Sequence, residues 1–281
     1  MSAIGWYNGT LGSPETLSVP VTDRAVYFGD GCYEACLAAG RRAFALDAHL
    51  DRFYRSLAGL RIPFSSDREA LKKVLLTCLE AANEPCAVLY FQVSRASAPR
   101  THAFPEGDFT PNLLITVTPK TPTPQEKTMK LITTDDIRYA MCNIKTLNLI
   151  PNVLAAEKAK ELGADEAVFV RGGVVTEGAH TNIHILKDGV LYTHPANERI
   201  LPGVTRAILL ELCEQLEIPA VERAFEKEAL FSADEVLITS STLGVRRAES
   251  VDGVPVGNRA QALYAALAKA YQQRFFRELQ A

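Results

Sequence analysis

The sequence predicts a two-domain fold of mixed α/β (α+β) class. The chain has 281 residues, about twice the size of a common single domain. The stretch Thr118-Pro119-Lys120-Thr121-Pro122-Thr123-Pro124 carries three prolines, which favours an extended, exposed connector. The sequence on either side mixes helical periodicity with strand-like runs. The division is therefore an N-terminal α/β domain over 1–118, a Pro/Thr-rich linker over 119–125, and a C-terminal α/β domain over 126–281 that contains Lys145.

In the first domain, Asp47 to Leu60 reads as a helix. Asp47 is placed to cap it, and Leu50, Phe53, Leu57 and Leu60 recur at helical spacing. Asp67 to Ala82 reads as a second helix. Ala87 to Arg95 and Leu113 to Thr118 are rich in β-branched and aromatic residues and read as strands. In the second domain, Asn152 to Leu162 is helical and stops at Gly163. Glu166 to Arg171 is an apolar strand that Gly172-Gly173 turns into Val174 and Val175. Asn182 to Leu186 and Val190 to Thr193 form a hairpin across Lys187-Asp188-Gly189. A helix runs from Val204 to about Leu216, Glu235 to Thr239 is a strand, and the last helix spans roughly Ala260 to Phe276.

Hydrophobic residues make up 47% and charged residues 22%, ordinary values for a chain with a large core. A formal net charge of -3 offers no basic footprint for nucleic acid. The first residues lack the charged and apolar regions of a signal peptide. No apolar run approaches the roughly 20 residues needed to span a bilayer. The six cysteines are scattered, and only Cys32 and Cys36 are close, so neither a zinc site nor a disulfide framework is expected. They read as small buried or half-buried thiols in a reducing cytoplasm, where the protein is expected to act without a metal.

Four features carry chemistry. Lys145 stands in Asn143-Ile144-Lys145-Thr146-Leu147-Asn148. An amine that condenses with an aldehyde must shed its proton, and apolar flanks favour that. The same pattern also fits a surface lysine whose stem lies on apolar residues. Glu177, in Val175-Thr176-Glu177-Gly178, follows a strand that should be buried. It is either an exposed turn residue or a carboxylate facing a cationic ring nitrogen that keeps it ionised. Leu201-Pro202-Gly203-Val204-Thr205-Arg206 opens a helix whose N–H groups suit an anion. Thr239-Ser240-Ser241-Thr242 adds hydroxyls and Arg52 a charge-assisted bond. These three pieces also fit a plain helix start, a turn and a solvated helix residue. Arg100-Thr101-His102 lies in a loop, where the basic pair is either solvated or a clamp for a carboxylate, with Tyr33 adding a hydroxyl.

In this order the pieces resemble the fold type IV pyridoxal 5'-phosphate (PLP) enzymes. That group includes D-amino acid aminotransferases, branched-chain aminotransferases and aminodeoxychorismate lyases. The resemblance runs from Trp6 to about Gly257 and is most specific over Tyr27–Glu34, His49–Arg52, Ile144–Leu149, Thr176–Asn182, Leu191–Pro195, Ile200–Arg206 and Asp234–Thr242. Within the group, Tyr90-Phe91-Gln92-Val93-Ser94-Arg95 followed by Pro99-Arg100-Thr101-His102 looks like the bacterial D-amino acid aminotransferases.

The resemblance implies two α/β domains with the cofactor in the cleft between them, assembled as a homodimer with shared active sites. It implies that Lys145 carries PLP and shuttles the α-proton, and that Glu177 pairs with the pyridine nitrogen. Arg52, Val204, Thr205, Ser240 and Ser241 would bind the phosphate, and Leu201 would pack on the ring. Tyr33, Arg100 and His102 would trap the substrate carboxylate, the Arg and His coming from the neighbouring subunit. The implied reaction moves an amino group from a D-amino acid such as D-alanine to a 2-oxo acid such as 2-oxoglutarate, giving pyruvate and D-glutamate. A lyase acting on aminodeoxychorismate, a branched-chain aminotransferase and a non-catalytic PLP- or ligand-binding protein are the other readings. Ala179-His180-Thr181 departs from the small hydroxyl residues usual after the glutamate. His180 there is a possible specificity residue, able to titrate near neutral pH.

Overall fold

A computed structural model describes residues 3–124 and 126–280. Gln125 of the expected linker and the residues at 1, 2 and 281 lie outside the described residues. Packing divides the chain into two units. The first holds the described residues as far as Pro122, with Ile144–Asn148 and the chain from Glu278. Its elements are β1 (Ile4–Tyr7), β2 (Thr10–Gly12), α1 (Arg24–Phe28), β3 (Gly31–Ala39), β4 (Arg42–Ala43), α2 (Leu46–Gly59), α3 (Arg68–Ala82), β5 (Ala87–Ser94) and β6 (Asn112–Pro119). The strands make one antiparallel sheet in the order β2-β1-β6-β5-β3-β4.

Leu50, Phe53 and Leu57 of α2 and Leu71, Leu75 and Leu79 of α3 share one core with Leu89, Phe91 and Val93 of β5 and with Ile115 and Val117 of β6. The helical spacing of these leucines supplies the apolar stripe that the sheet covers. The cap expected at Asp47 is not there. The helix begins at Leu46 after Ala45, which is left-handed (φ 52) and makes no side-chain cap bond. Burial of Leu46 sets that entry, while Asp47 sits in the first turn and pairs with Arg68 and Lys72.

β3 pairs with β5 from Gly31↔Ser94 to Ala38↔Ala87 and escapes the sequence patterns. Its buried positions are Gly31, Cys32, Glu34, Cys36 and Ala38, a set of small residues and one charge that does not read as an apolar face. Lys145, expected in the C-terminal domain, belongs instead to the first unit. Residues 144–148 are stitched to the start of β3: Tyr33 N donates to Lys145 O at 3.0 Å, Leu147 N donates to Gly31 O at 3.0 Å, and Thr146 bridges to Cys32.

The second unit holds β7 (Met129–Asp135), α4 (Ile150–Glu161), β8 (Glu166–Arg171), β9 (Val174–Gly178), β10 (Asn182–Lys187), β11 (Val190–Thr193), α5 (Val204–Gln215), β12 (Ala220–Glu222), α6 (Ala229–Ser232), β13 (Glu235–Ser240), β14 (Gly244–Val251), β15 (Val254–Pro255) and, as far as Arg277, α7 (Gln261–Gln280). Its sheet runs β12-β11-β10-β13-β14-β7-β8-β9, with β15 beside β14. β7 is parallel to both β8 and β14, and β11 is parallel to β12. One cluster, with Val168, Val175, Ile183, Ile185, Val236 and Ile238, fills one part of the core. Ile132, Ala155, Ala159, Ala167 and Phe169 form another under α4. The β8–β9 turn has both Gly172 and Gly173 at positive φ (59 and 85), the backbone that two-residue hairpins require. The next hairpin turns on Asp188 and Gly189 alone, because Lys187 stays paired with Val190. β14 also escapes the sequence patterns, since Arg246 and Arg247 interrupt its apolar reading, yet Arg246 is buried.

The connector region enters the sheet further than expected, with Pro119 closing β6 opposite Ala87. All six cysteines are free, four buried and two half-buried. Among the described residues no helix is long and apolar enough to cross a membrane, and no cluster of three His, Cys, Asp or Glu side chains suits a metal ion.

Candidate active site

In the first unit, Lys145 is half-buried. Its backbone N donates to Ser56 Oγ at 3.3 Å and its Nζ lies 4.2 Å from the centroid of the Tyr33 ring. Tyr33 projects from β3 on the side opposite Cys32 and Glu34 and stacks on Tyr90 of β5 at 5.4 Å. Alternation along the strand therefore puts Tyr33 on one face and Glu34 on the other.

On that second face Glu34 meets α2. Arg52 Nε donates to Glu34 Oε1 at 2.8 Å and its Nη2 to Oε2 at 2.8 Å, while His49 Nδ1 lies 2.7 Å from Oε2. His49 and Arg52 are three residues apart, so both reach the same carboxylate from one side of the helix. Arg52 is thus a buried, bidentate ion-pair partner rather than a solvated helix residue. Burial pushes Glu34 up, but Arg52 and His49 outweigh it and hold the carboxyl at about 2, against an ordinary 4.5. Burial lowers His49, with Glu34 opposing. An ionised carboxylate only accepts, so the His49 ring carries its proton on Nδ1.

Glu34→Gln is expected to destabilise the fold by about 3–5 kcal/mol, because Arg52 would stay buried without its anion. A folded carboxyl held below its unfolded value stabilises above the unfolded value and ceases to do so as pH falls through the folded one. The Glu34 contribution is therefore complete above 4.5 and is lost as pH falls towards about 2. Unfolding of the wild type and the variant at about pH 7 and about pH 3 checks both statements. A gap between them that does not narrow at low pH would count against the assignment.

In the second unit, Glu177 is the penultimate residue of β9 and is 5% exposed, so it is not an exposed turn residue. Arg138 Nη1 donates to its Oε1. Asn182 Nδ2 and Leu201 N donate to its Oε2 at 3.1 and 2.9 Å. Arg138 is itself held by Asp136, at 2.9 Å from both Nε and Nη2, and lies over the Phe169 ring. Burial depresses the Arg138 guanidinium, but Asp136 and Glu177 outweigh it and raise it further above its ordinary value. Sequence reasoning missed Arg138. It follows a β-branched run two residues after an aspartate, and nothing in that loop announces a partner 39 residues away.

Leu201, Val204 and Thr205 lie where α5 begins. Asn182 Nδ2 donates to Leu201 O at 3.0 Å, which ties this turn to the Glu177 carboxylate. Gly203 is the N-cap, with no side-chain cap bond, and a Cβ there would overlap Asn182 Oδ1. Thr205 Oγ1 is buried without a hydrogen-bond partner. An uncapped helix start and an orphaned hydroxyl fit a bound anion. Ser240 ends β13, where its Oγ accepts from Leu243 N at 3.2 Å, and Ser241 follows in the turn. Thr239, of the same hydroxyl run, turns to His184 Nε2 at 2.9 Å. Burial, helped by Arg206, pushes His184 down to about 3, so that contact is between neutral groups. Within the second unit, the buried Glu177 carboxylate and the uncapped start of α5 are thus tied to one another through Asn182 and Leu201.

Arg100 and His102 are exposed in the loop after β5. The Arg100 guanidinium is 5.2 Å, and the His102 ring 5.4 Å, from the ring centroid of Phe28. His180 is 53% exposed, with Nδ1 3.0 Å from Oε2 of buried Glu166. The other Glu166 oxygen accepts from Ala167 N and Ala179 N at 2.9 and 3.1 Å, so this carboxylate organises the turn after Gly178.

The amino-transferase class IV family model matches residues 31–251. The chain is similar to the D-alanine aminotransferase of Bacillus licheniformis, 39% identical over 256 residues and covering 90% of each chain. It is similar to that of Staphylococcus epidermidis, 39% identical over 249 residues and covering 88% of each. Among solved structures, the branched-chain amino acid aminotransferase of Escherichia coli superposes with a TM-score of 0.89 at 24% identity, covering 98% of this chain and 95% of that one. The branched-chain aminotransferase of Thermoproteus uzoniensis with norvaline gives 0.87 at 22%, covering 96% and 93%. At that identity the two structures speak for the fold.

Proposed function

The chain belongs to the class IV aminotransferases, and from that premise we propose that it transaminates D-amino acids, with D-alanine as donor and 2-oxoglutarate as acceptor. The observation that carries the D assignment is the 39% identity to D-alanine aminotransferases across nine-tenths of the chain. The buried Glu177 and the uncapped start of α5 support PLP as the cofactor.

Bound PLP supplies an electron sink for charge that develops at the substrate α-carbon. Lys145 would hold the cofactor and would move the proton on and off the substrate α-carbon. Glu177, which accepts from Arg138, Asn182 and Leu201 N, would oppose a positive charge on the pyridine nitrogen. Val204, Thr205, Ser240, Ser241 and Arg52 bind the phosphate, and Leu201 packs on the ring. Tyr33 takes the substrate carboxylate together with Arg100 and His102, which a second copy of the chain lends to the site. In this reading the protein works as a homodimer in the cytoplasm.

With the substrate amine, the carboxylate and the proton-moving lysine each held in place, only one enantiomer would turn its Cα–H towards Lys145. A bond to a charged group contributes roughly 1.5–3 kcal/mol, so Arg100→Ala is expected to lower kcat/KM about ten- to a hundred-fold. The assay offers D-alanine, L-alanine and L-leucine with 2-oxoglutarate and measures the oxo acid formed. Faster reaction with L-leucine would make the protein a branched-chain enzyme. Pyruvate released from aminodeoxychorismate, with no transamination, would make it the lyase. A purified protein that carries no cofactor would point to the non-catalytic reading.

A further inference from the structure

We propose that Arg24 is a positioning residue that fixes the loop carrying Arg100 and His102, and that binding of the substrate carboxylate depends on it. The inference rests on the reading of Arg100 and His102 given above. Arg24 opens α1 and is 3% exposed, although a guanidinium is normally left in water. Its Nη1 donates to Thr101 O at 2.7 Å and Ala103 O at 3.3 Å, and Nη2 reaches His102 O at 3.5 Å. Three successive carbonyls of the loop thus converge on one side chain.

The other edge of the guanidinium is fixed. Arg24 Nε donates to Asp30 Oδ2 at 2.7 Å. Asp30 also receives Arg95, whose Nε and Nη2 lie at 2.9 and 3.0 Å. Arg95 in turn donates to Leu60 O and Arg61 O at 2.8 and 2.9 Å, where α2 ends, and lies 3.7 Å from the ring centroid of Phe104. Two buried guanidinium groups share one carboxylate. The surplus positive charge is met by backbone carbonyl dipoles, those of the loop among them.

Phe28, on the same short helix as Arg24, completes the arrangement. Its ring lies beside Arg24 at 4.8 Å, Arg100 at 5.2 Å and His102 at 5.4 Å. One buried arginine and one ring therefore set where the two exposed basic side chains begin. A loop ordered before the substrate arrives spares the binding step that ordering cost. The planar fork spans several acceptors at once, which a lysine cannot do.

The test uses the full-length enzyme with Arg24→Gln, Arg24→Lys and Arg100→Ala. Hydrogen exchange of the segment around Arg100–Ala103 is expected to quicken in Arg24→Gln. KM for D-alanine and for 2-oxoglutarate is expected to rise about tenfold, with kcat changed by less than about threefold. Arg24→Lys is expected to fall between wild type and Arg24→Gln, and it serves alone should the glutamine variant fail to fold. Adding Arg24→Gln to Arg100→Ala is expected to raise KM little beyond Arg100→Ala alone, because the first acts through the second. Unchanged exchange with unchanged KM would overturn the proposal, as would KM penalties that simply multiply. A wild type with no D-amino acid transamination would fail the functional reading instead. Exchange around Arg100 would still report on the clamp, since it needs no turnover.

Discussion

Replacing Lys145 by alanine is expected to lower transamination by up to about 10⁴-fold, the upper range for a lost proton-transfer group, with the covalent attachment of the cofactor lost as well. The change should leave the fold intact. The hydrogen bonds that fix this segment come from its backbone, Lys145 N to Ser56 Oγ and Tyr33 N to Lys145 O, and alanine keeps both. Loss of activity and loss of structure are therefore separable by measuring the unfolding transition alongside the rate. In the wild type, borohydride reduction and peptide mapping are expected to place the pyridoxyl group on Lys145. A label on another lysine, or a variant within about tenfold of wild type, would remove Lys145 from the chemistry. Mixing Lys145→Ala with Arg100→Ala chains is expected to restore part of the activity, because one of the two shared sites in the mixed dimer would be whole. No recovery, with subunit exchange shown independently, would argue against sharing.

Glu177→Gln is expected to lower kcat by roughly 10²–10³-fold, the scale of losing one preorganised electrostatic contact to developing charge. The carboxylate accepts from Arg138 on one oxygen and from Asn182 Nδ2 and Leu201 N on the other. A glutamine satisfies only one of these sides. Oriented with its oxygen towards Arg138, it turns an NH2 group against the Leu201 N–H. Oriented the other way, it sets that group against the guanidinium. A stability loss of roughly 1–3 kcal/mol is expected from the mismatched donors, moderated because Arg138 keeps Asp136. Turnover measured at saturating cofactor separates the electrostatic effect from weaker binding. A Glu177→Gln enzyme with normal kcat would show that the pyridine nitrogen does not depend on this carboxylate.

The parts of the fold that are legible in the sequence are those whose side chains repeat at one period. α3, β8, β11, α5 and the core-facing leucines of α2 lie where apolar periodicity puts them, because a helix stripe or a strand face is decided by neighbours within a few residues. β3 and β14 are not legible. Glu34 and Arg246 sit at buried positions of these strands, and a buried charge reads as an exposed one until its surroundings are known. Glu34 is tolerated there only because Arg52 and His49 arrive from α2. Sequence places the segment around Lys145 in the wrong half for a related reason. Its register is set by backbone bonds to Gly31 and Tyr33, more than a hundred residues earlier, and backbone bonds leave no trace in residue type.

By itself the sequence determined the mixed α/β class and the family likeness, and it singled out Lys145, Glu177 and the Arg100–His102 pair as candidates, all of them carried by short local motifs. Only the tertiary structure decided which charges accompany them. It placed Arg138 on Glu177, Arg52 and His49 on Glu34, and Arg24 on the carbonyls of the Arg100 loop. Buried ions must find partners of opposite charge or aligned dipoles within a few ångströms. Those partners are chosen by how strands and helices pack, and not by distance along the chain.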